Sequence, residues 1–227
     1  MITDGTLSAA ERAARHRALG DEHRVRIMDA LSLSDRSPSE LGQLVGVGTN
    51  LLAFHLDVLE EAGLVRRSAS HGDARRRYVR LAADLGPPWG DPPPLERPVE
   101  QVLFICTANS ARSQLASHLW RRRTGTPALS AGTSPADEVH PQARAAARRH
   151  GLDLDRARPV GLETIEASVD LVVSVCDRAH ESVLDVDAPA LHWSIPDPVD
   201  RGEAAFDEVV VVLVARVERL ARARELA

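Results

Sequence analysis

The sequence predicts an α/β protein of two domains, in which a helical domain ending in a β-hairpin precedes a doubly wound parallel sheet. The chain has 227 residues, enough to bury two separate cores. A stretch with six prolines, 86–98, divides it, because proline forbids a regular helix or a central strand. Strand and helix patterns alternate after this stretch, which is typical of a parallel sheet covered by helices. We therefore expect domains at 1–85 and 99–227, joined by a linker at 86–98.

The first domain is expected to contain four helices and two strands. Apolar residues recur at a spacing near 3.6 in the first two helical stretches, and Pro38 stands just ahead of the third helix. In the fourth helix, Leu52, Leu56 and Leu59 share one face, and Gly63 suits the C-cap. The predicted helices span 8–19, 21–31, 39–45 and 49–62, and the strands, joined by a turn at 71–73, span 64–67 and 76–81.

The second domain is expected to alternate short apolar strands with amphipathic helices. The predicted strands span 102–105, 128–131, 171–175 and 190–193. The predicted helices span 113–123, 141–150, 178–184 and 203–226. This order indicates a doubly wound sheet, in which ligand sites form at the carboxyl ends of the strands.

Composition excludes several classes of function. All 28 basic residues are arginine, which excludes a Walker-type phosphate loop, a pyridoxal Schiff base and a lysine nucleophile. Three Trp, three Phe and one Tyr are too few for a platform that stacks single-stranded nucleic acid. Two cysteines are too few for a disulfide framework. No apolar run is long enough to span a membrane, and the N-terminus lacks the basic start and apolar core of a signal peptide. We expect a cytoplasmic protein with no membrane partner.

Two phrases in the first domain, 18–27 and 55–65, resemble the arsenical-repressor family of bacterial regulators. The resemblance implies a winged helix-turn-helix, a homodimer and binding to operator DNA. In that family the second helix of the motif, here the fourth helix of the chain, lies in the major groove, and the wing, here the β-hairpin, contacts backbone phosphate. The DNA-binding residues it implies are Thr49, Asn50, Arg66, Arg67, Arg75, Arg76 and Arg77.

Two departures leave a purely dimerising role open as the alternative to DNA binding. The exposed face of the fourth helix carries Phe54 and Asp57, and a carboxylate repels phosphate. The domain has no cysteine, so a thiolate site for As(III) cannot form within it. His55, inside that helix, is more typical of packing than of ligand binding.

The stretch Cys106–Ser113 follows an apolar strand and opens a helix, which is how an oxyanion loop is built. Backbone N–H groups of Thr107, Ala108, Asn109, Ser110 and Ala111 would surround a tetrahedral anion at the positive end of the helix. The same field stabilises a Cys106 thiolate as nucleophile. Arg112 would clamp two oxygens, and Ser113 would donate a hydrogen bond to the sulfur. Asn109 is expected to fix the loop geometry.

Asp197 and Cys176 complete the candidate catalytic residues. Asp197, between two prolines after the last strand, is the expected general acid, with a turn aspartate as the alternative. Cys176, 70 residues after Cys106, is the expected second redox thiol, with a buried structural cysteine as the alternative.

The stretches 106–114, 130–133, 171–177 and 192–198 resemble the low-molecular-weight tyrosine phosphatase fold, and within it the arsenate reductase branch. Val199 and Asp200 stand where phosphatases of this fold place tyrosines, which favours a small inorganic oxyanion such as arsenate. The third cysteine of thioredoxin-linked members is replaced by Val183. The resemblance thus implies an external thiol reductant. This reductant is either thioredoxin, or a small thiol (mycothiol or glutathione) that acts together with a redoxin. Ser117 replaces the glutamate that binds potassium in some members, so we expect no metal and no bound cofactor.

The sequence as a whole predicts a thiol-dependent arsenate reductase fused to a regulator-type domain. Two alternatives remain, a low-molecular-weight protein tyrosine phosphatase and a transcriptional regulator that senses an oxyanion or redox state.

Overall fold

The computed structural model describes residues 7–82, 91–182 and 188–227, which form two compact units. Residues 7–68 and 77–82 make the first unit, and residues 69–76, 91–182 and 188–227 make the second. The expected boundary between residues 85 and 86 lies outside the described residues, as does the start of the expected linker. Residues 91–98 contain no helix or strand, in agreement with their four prolines.

The first unit contains the four expected helices and the two-stranded sheet. Three of the four helices begin at a capping side chain: Ser8 and Ser37 form capping boxes, and Asp21 caps the second helix, whereas Gly48 precedes the fourth helix without a side-chain cap. Pro38 is the first residue of the third helix rather than its predecessor. Gly46, at φ 76°, ends the third helix in the left-handed region. The elements are α1 Ala9–Ala18, α2 Glu22–Leu31, α3 Pro38–Val45, α4 Thr49–Glu61, β1 Val65–Ala69 and β2 Arg77–Leu81.

The core of the first unit is formed by aliphatic side chains that the helical periodicity had placed on one face. Leu52, Leu56 and Leu59 of α4 are all buried, together with Ile27 and Leu31 of α2. Burying side chains of this size contributes about 1.5 to 3 kcal/mol each, so the shared face stabilises the helical bundle.

The second unit is built on a four-stranded parallel sheet covered by helices. The elements are β3 Val102–Cys106, α5 Arg112–Thr124, β4 Ala128–Gly132, α6 Pro141–Arg149, β5 Leu171–Ser174, α7 Asp177–Glu181, β6 Ala190–His192 and α8 Glu203–Glu225. The strand order is β4-β3-β5-β6, helix α5 packs against α8, and α8 also packs against α6. A short 3-10 helix, Leu162–Thr164, was not expected. The expected extension of α7 to residue 184 runs outside the described residues.

The strand register brings the two cysteines to one edge of the sheet. Cys106 aligns with Gly132, and Ile105 aligns with Ser174 on the other side. Cys176 follows Ser174 by two residues, so both sulfurs stand at the carboxyl ends of neighbouring parallel strands, where sites form in such sheets. No helix in the described part of the chain combines the length and the apolar character that a membrane crossing needs.

Candidate active site

The candidate nucleophile loop lies between a buried strand and a helix, as the sequence predicts. All five residues of β3 are buried, and its last residue is Cys106. Five residues then turn the chain into α5, which begins at Arg112. The loop therefore stands at the N-terminus of a helix of 13 residues, where unpaired N–H groups and the helix dipole favour an anion.

The segment 133–140 holds the carbonyl groups of this loop on its outer side. Four N–H groups of the segment donate to four loop carbonyls, at 2.9 to 3.1 Å. Because C=O and N–H point in opposite directions across a trans peptide, the N–H groups that follow these carbonyls face inwards. The pairs are Thr133 to Cys106, Ser134 to Thr107, Ala136 to Ala108 and His140 to Ser110.

Asn109 supports the loop from behind. Its φ of 48° lies in the left-handed region, which asparagine tolerates better than most residues. Its side-chain oxygen accepts from the N–H of Val160 at 2.9 Å and from Gln114 Nε2 at 3.0 Å. Its Nδ2 donates to Ser113 Oγ at 2.8 Å. The side chain is fully buried and engaged with the scaffold, so it holds the loop geometry and does not line the cavity.

Two polar groups lie within hydrogen-bonding distance of the Cys106 sulfur. The backbone N–H of Asn109 donates to Sγ at 3.2 Å, and Ser113 Oγ lies 3.0 Å from Sγ. Ser113 Oγ also accepts from Asn109 Nδ2, which leaves its own hydrogen available to the sulfur. The contact distance is compatible with the predicted hydrogen bond from Ser113 to the sulfur.

Arg112 and Asp197 form an ion pair beside the sulfur. The Arg112 side chain is 8% exposed, and its NH2 lies 2.5 Å from Asp197 Oδ2, while its NH1 donates to the carbonyl of Ile195 at 2.9 Å. Asp197 is 54% exposed, so its carboxyl group reaches both the guanidinium and solvent. In this state both terminal nitrogens of the guanidinium contact the segment 195–197, and an anion bound in the loop would replace these contacts.

Cys176 is buried beside the loop as the N-cap of α7. Its sulfur accepts from the N–H of Ala179 at 3.4 Å and lies 3.5 Å from Thr107 Oγ1. Burial raises the pKa of the Cys176 thiol, while the positive charge of Arg112 acts in the opposite direction. At neutral pH the thiol is therefore protonated in this state.

One cavity of about 260 Å³ brings most of these residues together. Ser113 stands behind the cavity wall with Asn109, in contact with Cys106. The predicted residues that line it are Cys106, Thr107, Ala108, Ser110, Ala111, Arg112, Cys176 and Asp197. It is also lined by His71, Asp177, Arg178 and Val199, which the sequence reasoning did not select.

Asp177 anchors a buried polar network under the cavity. His192 Nε2 lies 3.0 Å from Oδ1, and the N–H of His71 donates to Oδ2 at 2.7 Å. Ser174 Oγ lies 3.0 Å from His192 Nδ1. Burial alone would raise the pKa of Asp177, but hydrogen bonds from His192, His71 and Ser194 outweigh it, so the pKa lies below its usual value. The sequence signal that could have identified Asp177 is its position directly after Cys176.

The predicted DNA-contacting residues are exposed, and two of the arginines are paired with carboxylates. Thr49 and Asn50 begin α4 on its exposed face, and Arg66 is exposed on β1. Arg67 does not offer a free guanidinium to phosphate, because it pairs with Asp57 at 2.7 Å and with Glu60. Arg75 pairs with Asp73 but stays 90% exposed, and Arg76 and Arg77 are also exposed.

Among the described residues, Asp21, His23 and His55 are the group whose donor atoms could meet at a metal ion. These atoms lie within 4.8 Å of one another. However, Arg24 NH1 lies 3.5 Å from His55 Nδ1, and its positive charge opposes a cation there.

Comparison with known proteins agrees with this arrangement. The model of the low molecular weight phosphotyrosine protein phosphatase family matches residues 101–227, and a helix-turn-helix domain model matches residues 19–68. The arsenate reductase of Brevibacillus brevis is 30% identical over 129 residues, covering 55% of this chain and 96% of that protein. Arsenate reductase 1 of Bacillus cereus is 31% identical over 130 residues, with the same coverage.

A solved structure gives the same picture of the second unit. The tyrosine phosphatase Wzb of Escherichia coli K30, in complex with sulphate, is 25% identical with a TM-score of 0.50, covering 57% of this chain and 99% of Wzb. The expected fusion of a helix-turn-helix domain with a phosphatase-like α/β domain is confirmed. Since the phosphatase model covers more than half of the residues, this chain belongs to the low molecular weight phosphotyrosine protein phosphatase family, with a helix-turn-helix domain ahead of the family domain.

Proposed function

We propose that the chain is a thiol-dependent arsenate reductase fused to a regulator-type DNA-binding or dimerisation domain. The observation that carries the proposal is that a second cysteine, Cys176, lines the same cavity as Cys106. Hydrolysis of a phosphate ester needs one nucleophilic sulfur, whereas reduction of As(V) needs two thiols. The two relatives described above, both named arsenate reductase, support the same choice.

The first step is attack of the Cys106 thiolate on arsenate. The inward N–H groups of the loop and the Arg112 guanidinium hold the arsenate oxygens, and an S–As bond forms. One hydroxyl group of the arsenate leaves as water after taking a proton from Asp197. Asp197 is protonated for this step, once the arsenate has replaced it at Arg112 and its carboxyl group, 54% exposed, meets solvent. Arsenic remains As(V) in this adduct, because the incoming sulfur has replaced an oxygen.

The second step is reduction. A thiol attacks the Cys106 sulfur and gives its proton to an arsenic-bound oxygen, a new S–S bond forms, and the electron pair of the S–As bond stays on arsenic. Arsenic thereby becomes As(III) and leaves as arsenite, while the two thiols lose two electrons to become a disulfide. Cys176 is the internal candidate for this thiol, and an external thiol is the alternative.

The finer assignments belong to the same proposal. The reductant is thioredoxin, or mycothiol or glutathione with a redoxin, and the setting is the cytoplasm. The expected homodimer forms through the helix-turn-helix domain at 1–85, with the linker at 86–98 and the reductase at 99–227. The residues that would contact operator DNA are Thr49, Asn50, Arg66, Arg75, Arg76 and Arg77, and Arg67 if its pairing with Asp57 and Glu60 gives way to phosphate.

The test is arsenite production from arsenate by the purified chain. Three parallel reactions contain a thioredoxin system, a glutathione–glutaredoxin system and a mycothiol–mycoredoxin system, with Cys106→Ser as the blank. Turnover in any of them, lost in the blank, is the expected result, and it identifies the electron donor. Absence of arsenite in all three would refute the proposal.

Two further measurements separate the alternatives. Hydrolysis of a phenyl phosphate that persists in Cys176→Ser, without arsenite production, would identify a phosphatase. Sequence-selective DNA binding that arsenate alters without turnover would identify a sensor. Val199 lines the cavity just after Asp197 and offers no aromatic surface to a phenyl ring, which favours the inorganic substrate.

A further inference from the structure

The segment Ala69–Arg76, called the His71 segment below, is part of the same compact unit as the cavity. It carries none of the family's loop residues, yet it contacts α7 through three hydrogen bonds. Ser70 Oγ donates to Glu181 Oε1 at 2.7 Å, and the N–H of Asp73 donates to Glu181 Oε2 at 2.8 Å. The N–H of His71 donates to Asp177 Oδ2 at 2.7 Å. One carboxylate at each end of α7 therefore binds this segment.

The contact between the His71 segment and α7 leaves no room for a side chain at Gly72. A Cβ added at Gly72 would overlap the Glu181 carboxylate and lie 3.1 Å from the backbone N and Cα of Arg178. The carboxylate could rotate away, but the backbone of a helix cannot. The segment is thus seated on α7 by main-chain contact, and a larger residue at this position would lift it.

The contact between the His71 segment and α7 lies next to Cys176, which lines the cavity. Cys176 is the N-cap of α7, and Asp177 is its first residue. His71 is exposed and lines the cavity together with Cys106 and Cys176. The His71 segment therefore forms part of the wall of the cavity that contains both sulfurs.

We propose that the His71 segment is a specificity element of the oxyanion site, and the proposal builds on the proposed function. Seated on α7, the segment narrows the mouth of the cavity, with the His71 imidazole as its rim. Small inorganic oxyanions reach Cys106, and molecules with an aryl group reach it only when the segment is displaced. Asp177 opposes displacement, because its buried carboxylate would lose the His71 N–H.

The test uses two variants of the full chain and two controls. His71→Ala removes the imidazole and keeps the backbone contacts, whereas Gly72→Val lifts the segment. His16→Ala is the first control, since His16 is exposed on α1. Gly20→Val is the second, since a Cβ there would lie no closer than 3.4 Å to the carbonyl of Arg17.

The readout is the rate at which the chain's two cysteines are alkylated, with peptide mapping to assign each label. Iodoacetamide serves as the small reagent and N-phenylmaleimide as the aryl reagent. We expect both variants to raise the ratio of the N-phenylmaleimide rate to the iodoacetamide rate by about tenfold over the wild type. Both controls should show the wild-type ratio. The ratio of kcat/KM for phenyl phosphate to that for arsenate should rise in parallel.

The outcomes are distinct. An unchanged aryl rate in Gly72→Val would overturn the proposal, and a rise in Gly72→Val without one in His71→Ala would overturn the role of the imidazole. Fluorescence of the buried Trp120 and Trp193 verifies that each variant is folded, and His71→Ala tests the rim even if Gly72→Val does not fold. Absence of arsenite in the wild type would defeat the proposed function, whereas the alkylation rates decide the role of the segment independently.

Discussion

Replacement of Asn109 should show how the nucleophile loop is held. The residue combines a left-handed backbone, at φ 48°, with three side-chain hydrogen bonds to Val160, Gln114 and Ser113. Two substitutions separate these contributions. Asn109→Gly removes the side-chain hydrogen bonds and accepts the backbone conformation, whereas Asn109→Ala removes the same hydrogen bonds and is strained there as well.

The expected losses follow from the contacts. Each of the three hydrogen bonds contributes about 1 kcal/mol, so the glycine variant should lose about 3 kcal/mol of unfolding free energy. A left-handed alanine costs about 1 kcal/mol more, so the alanine variant should lose about 4 kcal/mol. Both variants also release Ser113 Oγ from the hydrogen bond that orients it towards Cys106. Misplacement of the nucleophile should lower kcat for arsenite formation by about tenfold or more.

The assay is urea unfolding followed by tryptophan fluorescence, with arsenite formation measured on the same preparations. Trp120 and Trp193 are buried in the unit that carries the loop, so their signal reports its unfolding. If Asn109→Gly unfolded within about 0.5 kcal/mol of the wild type, the hydrogen bonds would not be what holds the loop. Equal stability of the two variants would refute the strain argument.

Three other predictions, which use four substitutions, test separate parts of the structure. Gly132→Ala places a Cβ 2.6 Å from the carbonyl of Thr107, so it should cost about 2 kcal/mol and lower Tm in differential scanning fluorimetry; an unchanged Tm would contradict the close approach. Asp177 has a lowered pKa in the folded chain, so it contributes stability above its unfolded pKa of about 3.9 and loses it as pH falls through the folded value. In urea unfolding from pH 7 to pH 3, the stability difference between wild type and Asp177→Asn should therefore shrink towards acid, and a constant difference would count against this linkage. Arg66→Ala should weaken binding to duplex DNA and reduce the salt slope by about 1, measured by fluorescence anisotropy, whereas Arg67→Ala should change it little because Arg67 pairs with Asp57 and Glu60. Equal losses in the two arginine variants would show that this pairing does not withdraw Arg67 from DNA.

The helices and strands could be predicted because their signals are local. The four-helix pattern of the first unit rests on spacing near 3.6 and on caps such as Ser8 and Asp21, which act within one turn. The Cys106 loop could be predicted for the same reason, since the strand, loop and helix are contiguous. Element bounds therefore agree with the expectation to within a few residues.

The supports of the site could not be predicted, because they come from distant parts of the chain. The four hydrogen bonds from the segment 133–140 orient the loop, but the segment itself carries no chemical signature. His71 reaches Asp177 across 106 positions, and no local pattern marks either residue as a partner. The pairing of Arg67 with Asp57 and Glu60 likewise depends on how β1 follows α4. Contacts of this kind are decided by tertiary packing.

The two cysteines occupy one cavity in environments that give them different tasks in the proposed reaction. Cys106 accepts a hydrogen bond from the N–H of Asn109 and lies 3.0 Å from Ser113 Oγ. Burial raises the pKa of Cys176, and its sulfur lies 3.5 Å from the hydroxyl of Thr107. In the proposed reaction Cys106 attacks the oxyanion first, because it begins the loop that holds the anion, and Cys176 acts second. Both side chains are equally buried, so the proposed order of reaction depends on the position of each sulfur at the loop.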